Sequence, residues 1–156
     1  VRAPGGWLVS AAASLSSTSR PVAGLATAEP SRTLSLVLVD TSVWVDHLRR
    51  GDPALAALLE AARVLCHPAI IGEIALGTLR DPGLIDLLSE LPGASVATDT
   101  EVLALVRGHG LAGTGIGWVD AQLLAATLLT PGARLWTRDR RLAAASLRLG
   151  IAHPEE

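Results

Sequence analysis

Apolar runs alternate with stretches of helical spacing along this chain, and the alternation predicts a parallel α/β sheet. The first run, Leu34-Ser35-Leu36-Val37-Leu38-Val39, is almost continuously aliphatic, the pattern of a strand buried on both faces. Helical spacing follows over 43–49, stopped by Gly51, and over 54–62, where Asp52 serves as cap and Pro53 takes the first helical position. Further strands are expected at 63–66, 95–98 and 134–137, with 150–152 as a terminal edge strand. Helices are expected at 68–79, 84–91, 100–109, 118–129 and 140–149. The strands are too far apart in sequence for hairpins, so crossover helices must join them, which gives an α/β fold with about five parallel strands between helices. Ile70, Ile74 and Gly77 are the inward candidates of one helix, and Val102, Leu105 and Val106 form the apolar face of another. Four glycines in the eight positions 110–117 predict a loop that approaches another surface closely.

A length of 156 residues with 49% hydrophobic content allows one domain with a real core. Residues 1–33 are rich in Ser, Ala, Gly and Pro and have no sustained periodicity, so they read as a flexible extension, or as the product of an upstream start, before a folded domain at 34–156. Arg2, the mild apolar stretch 7–15 and Ala26-Thr27-Ala28 give a weak signal-peptide pattern, interrupted by Ser10 and Ser14. A cytoplasmic protein is the expectation. No apolar run reaches the ~20 residues of a membrane span.

The formal charge of −2 supplies no global attraction to nucleic acid, so a phosphate-bearing partner needs local arginines or bound cations. All 13 basic residues are Arg, and the absence of lysine excludes Schiff-base and P-loop chemistry. Cys66 stands alone and is expected as a buried small hydrophobe. His47, His67, His109 and His153 lack zinc-ligand spacing, and no Gly-x-Ser-x-Gly elbow is present.

The candidate chemistry lies in four acids. Asp40 ends the first strand and Asp139 follows the last long one, while Glu73 and Asp120 are expected where helices begin. Singly, each has an ordinary explanation as a helix cap or a first-turn acid. Together they would arise at one edge of a parallel sheet, the edge where ligands bind in open α/β folds. Glu73 and Asp120 each sit in an otherwise apolar helix, with no basic residue within a turn, and a desolvated carboxylate needs a cation beside it. Oxygen-only ligands suit Mg²⁺ or Mn²⁺, and such a site points to phosphodiester hydrolysis by metal-activated water. Ser42 and Thr137 are candidates for orienting water or ligand, against the alternative of local capping. Arg138, Arg140 and Arg141, with Arg134 and Arg148, are candidates for contact with a nucleic-acid backbone or for a solvated helix face. Asp46, Asp52, Asp81 and the remaining acids read as solvated or capping.

Four pieces, taken in order, resemble the PIN-domain family and its VapC-type ribonuclease toxins: Val39-Asp40-Thr41-Ser42-Val43-Trp44-Val45-Asp46, Gly72-Glu73-Ile74-Ala75, Asp120-Ala121 followed by a Leu-Leu-Ala-Ala run, and Leu135-Trp136-Thr137-Arg138-Asp139-Arg140-Arg141-Leu142. The resemblance implies a Rossmann-like three-layer fold and an Mg²⁺- or Mn²⁺-dependent endoribonuclease whose metal is held at the positions of Asp40, Glu73, Asp120 and Asp139. It also implies a homodimer inhibited by a VapB-type antitoxin that covers the groove and inserts an arginine among the acids. A DNase or flap-type nuclease and a catalytically silent protein-binding module are the rival readings. A phosphatase that starts from an Asp after a strand would want a second Asp where Ser42 stands.

Overall fold

The structure is a computed structural model that describes residues 35–78 and 81–154. The extension expected at 1–33 and the first residue of the expected opening strand, Leu34, lie outside them. In chain order the elements are β1 (Leu36–Val39), α1 (Thr41–Arg50), α2 (Pro53–Glu60), β2 (Val64–Leu65), α3 (Pro68–Leu76), α4 (Pro82–Glu90), α5 (Asp99–Gly108), α6 (Trp118–Leu129), β3 (Ala133–Trp136) and α7 (Arg140–Arg148).

β1 is the centre of the sheet, in the order β2-β1-β3, with both neighbours parallel to it. Its register with β3 sets Leu36 opposite Ala133 and Val39 opposite Trp136, so the next residues, Asp40 and Thr137, leave the two strands side by side. Val37, Leu38 and Val39 have no solvent exposure. At about 1.5–3 kcal/mol for each such side chain fully buried, this short strand is the best-anchored part of the scaffold. Trp44, Leu55, Ile70, Leu123, Leu124 and Leu142 from five helices complete the core around it. No helix among the described residues is long and apolar enough to cross a membrane.

Three strands form among the described residues, where about five were expected. Of the two missing strands, 150–152 survives as a single bridge, Leu135 with Ala152, while in place of 95–98 a single bridge forms two residues earlier, Cys66 with Gly93. Beside β2 the ladder is limited by Pro92, which has no N–H to give, and by Ser95, whose N–H goes instead to Thr130 Oγ1 (2.9 Å). Residues 95–98 are therefore irregular, tied to the end of α6 rather than to a strand. On the other edge Leu135 N–H meets Ile151 O and His153 N–H meets Leu135 O, both at 2.8 Å, before Pro154 ends the possibility of donating further.

The helices form where their caps direct. Asp52 accepts from Ala54 N and Leu55 N with Pro53 at N1, Asp81 accepts from Gly83 N, and Thr98 forms a capping box with Glu101, whose carboxyl these bonds hold below its ordinary value. α3 stops at Leu76, short of the expected end, and Gly77 is its exposed C-cap rather than an inward residue. Val102 is fully buried, with Leu105 and Val106 half-buried beside it, as their spacing predicts. Cys66 is buried, and desolvation pushes its thiol up to about 11, which makes it inert.

Candidate metal centre

All four predicted acids line one cleft of about 470 Å³, together with Thr41, Ser42, Leu76 and Gly77. Each arrives by a different structural route. Asp40 is 6% exposed and caps α1 directly after β1. Its Oδ2 accepts from Ser42 Oγ (2.5 Å), Thr137 Oγ1 (2.8 Å) and Ser42 N (3.3 Å). Asp139 caps α7, its Oδ1 accepting from Arg141 N and Leu142 N at 2.9 Å. Asp120 lies in the first turn of α6, where its Oδ2 accepts from Gly117 N (2.9 Å). Glu73 is not in a first turn: it stands six residues into α3, on an exposed stretch with Gly72, Ala75 and Leu76, and accepts from Thr41 Oγ1 at 2.6 Å.

In each acid one carboxylate oxygen is committed to the protein, and no hydrogen bond among the described residues holds the other. The uncommitted oxygens are the donors available to a ligand. Desolvation raises the Asp120 carboxyl above its ordinary value, and the negative charges of Asp40 and Asp139 add to the rise, although the Gly117 bond opposes it. The three aspartates therefore feel one another. Among the described residues, no group of three or more His, Cys, Asp or Glu is drawn together tightly enough to hold a metal ion as it stands. The arrangement is an open anionic cleft, whose oxygen-only donors and mutual repulsion fit a hard divalent cation.

Ser42 Oγ and Thr137 Oγ1 both donate to Asp40 Oδ2, so each hydroxyl has a protein partner, and Ser42 also lines the cleft. Ser42 Oγ also accepts from Arg138 N (3.0 Å) and Thr137 Oγ1 from Asp139 N (3.0 Å), so the two hydroxyls join the end of β1 to the turn after β3. Of the arginines proposed for RNA, Arg138 is ion-paired with Asp46 and Asp52, and Arg141 reaches Gly115 O at 3.4 Å. Arg134 donates to Gly150 O and Arg148 to His109 O, which leaves Arg140 as the exposed one of the group with no such bond among the described residues.

Matching the model of the PIN domain, residues 37–146 span every one of these elements from β1 into α7. The chain belongs to the PIN-domain family. Two relatives are similar over most of their length: Ribonuclease VapC32 of Mycobacterium tuberculosis strain CDC 1551 / Oshkosh and Ribonuclease VapC32 of strain ATCC 25618 / H37Rv. Each is 48% identical over 122 residues, which covers 78% of this chain and 98% of the relative. This PIN domain is thus of the VapC type, with the parallel sheet and surrounding helices of the family.

Several residues in and around the cleft were not singled out from the sequence. Thr41 holds Glu73, Leu76 lines the cleft while 90% exposed, and Asp46 and Asp52 receive Arg138. The close approach expected of the glycine loop is made at Gly115: at φ +79° a Cβ there would stand 2.9 Å from Arg141 Nη1. His67 caps α3 through Nδ1, accepting from Ala69 N at 3.1 Å, a role in which histidine is too rare for sequence to announce.

Proposed function

We propose that the chain is a metal-dependent endoribonuclease, the toxin of a VapBC-type toxin–antitoxin pair, working in the cytoplasm on single-stranded or loop regions of RNA. The observation that carries this reading is the convergence of Asp40, Glu73, Asp120 and Asp139 on one cleft from four separate segments. The relatives named Ribonuclease VapC32 supply the choice of RNA. In this reading residues 34–156 are the catalytic domain and residues 1–33 have no chemical part.

Mg²⁺ or Mn²⁺, when bound, would supply Lewis acidity and activation of water for attack on phosphorus. The chain's own residues do the remainder. Asp40, the most buried acid, is the fixed ligand, oriented by Ser42 and Thr137; Asp139 is the second, fixed by its capping bonds. Asp120 and Glu73 close the cleft from α6 and α3. The cleft lining among the described residues includes no lysine, histidine or cysteine, and in this mechanism the attacking group is water rather than a side chain. Arg140, exposed at the start of α7, is the arginine available for the RNA backbone. A VapB-type antitoxin has the exposed Leu76 at the cleft rim as an apolar foothold, and an arginine of its own would satisfy the acids. Val96, Leu128 and Leu129 are exposed near the Ser95–Leu129 hydrogen bond and support a homodimer.

The test is cleavage of matched single-stranded RNA and DNA with Mg²⁺ or Mn²⁺, with EDTA, and with Asp40→Asn. RNA cleavage abolished by EDTA and by the substitution is expected. Preferential cleavage of DNA would transfer the assignment to a DNase, and no cleavage of either would leave a protein-binding module.

A further inference from the structure

Residue 138 grips the neighbouring elements twice. Its backbone N–H donates to Ser42 Oγ at 3.0 Å, and Ser42 Oγ in turn donates to Asp40 Oδ2 at 2.5 Å. Its guanidinium forks between Asp46 on α1, through Nη1, and Asp52 at the cap of α2, through Nη2. Both carboxylates are anchored themselves: Asp46 also pairs with Arg50 at 2.9 Å, and Asp52 Oδ1 accepts from Ala54 N and Leu55 N. The turn that carries Thr137 and Asp139 is therefore fastened to the helix that Asp40 caps.

We infer that Arg138 is a positioning residue for the acid cleft, clamping the β3–α7 turn onto α1 and α2 and so fixing the separation of Asp40 from Asp139. The inference rests on the reading of that cleft as a divalent-cation site. Lysine is a poor substitute, because a planar guanidinium meets two carboxylates at once while an ammonium is a single point charge. Global stability is a weak alternative role for the Arg138–Asp46 pair, whose side chains are 37% and 27% exposed, since partly exposed ion pairs contribute little; the Asp52 side chain is 10% exposed, so thermal unfolding is read beside metal binding. An RNA contact would have to displace two carboxylates from the same guanidinium. A bare positive charge beside the acids would repel a divalent ion, whereas this one is balanced by Asp46 and Asp52.

Mn²⁺ titration of the full chain by calorimetry without RNA, and separately binding of a single-stranded RNA without metal, distinguish these roles, with thermal unfolding of each metal-free variant alongside. Arg138→Lys and Arg138→Gln should both weaken Mn²⁺ binding, by about 10-fold or more, the range seen when an outer partner of a metal ligand is lost. Asp46→Asn should add nothing to Arg138→Gln, because both break the same clamp. Tighter binding in Arg138→Gln with unchanged binding in Arg138→Lys would show a charge effect only and overturn the inference. Unchanged Mn²⁺ affinity with weaker RNA binding would overturn it in favour of a substrate contact. Absence of Mn²⁺ binding by the unaltered protein would overturn the cation-site reading and the inference with it, whereas full affinity in Arg138→Lys overturns the inference alone.

Discussion

The acids of the cleft divide into two pairs that are held by different physics. Asp40 and Asp139 follow β1 and β3, and their places are set by the register of the two strands and by helix caps. Glu73 and Asp120 project from helices, and their places depend on how α3 and α6 pack on the rest. Burial follows the same division in part, since Asp40 is 6% exposed and its Oδ2 takes three bonds, while Glu73 is exposed and takes one from Thr41. A sheet-end acid beneath a hydroxyl network is prearranged; a helix acid at a cleft wall can adjust to its ligand.

Substituting the acids has the largest expected effect. Asp40→Asn should lower RNA cleavage at least 100-fold, beyond the roughly 10–100-fold typical of losing an outer partner of a metal ligand. Glu73→Gln should cost less, with more of its effect recoverable by raising Mg²⁺, and equal losses that no metal concentration restores would erase the distinction. Next come the hydroxyls. Thr137→Val removes a bond to buried Asp40 and should cost about 10–100-fold in cleavage, whereas Thr41→Val acts on exposed Glu73 and should cost under about 10-fold. The same assays at several Mg²⁺ concentrations decide this ordering.

Asp139 carries two roles, since it both caps α7 and lines the cleft. Asp139→Ala should lose activity and about 1 kcal/mol of stability in urea unfolding, while Asp139→Asn, which retains a capping oxygen, should lose activity alone. The smallest effect concerns pH. Asp120 is raised in the folded state, so its contribution to stability is present below its unfolded value and is lost as pH rises through the folded one. Metal-free Asp120→Asn should consequently melt above the parent protein at about pH 8, with the gap closing toward about pH 4. Divalent ions should raise the parent's midpoint and have little effect on the variant's.

The legible parts of the sequence were those governed by local rules. The buried run of β1, the Asp-Pro start at Asp52 and the break at Gly51 each depend on a few neighbouring residues, and the elements lie where those signals put them, whereas the cap at Asp81 and the stop at Gly77 were not read from the sequence. The cleft was legible because a parallel sheet gathers its strand ends on one side. The edges were not. Whether 93–98 and 150–152 extend the sheet depends on partners distant in sequence, and Ser95 chose Thr130 over the ladder. Glu73 was misplaced within α3 because an apolar stretch does not disclose which of its faces meets solvent. The partners of Arg138 were out of reach for a related reason: its fork to Asp46 and Asp52 spans up to 92 positions, which no local pattern encodes.

Diffraction from crystals grown with Mn²⁺, collected where the ion scatters anomalously, tests the central claim most directly. One anomalous peak in the cleft, bound by oxygens of Asp40 and Asp139 with Asp120 or Glu73 drawn in to complete the site, is the expected result. A fully occupied ion elsewhere on the protein, with the cleft acids unmoved and unliganded, would contradict it.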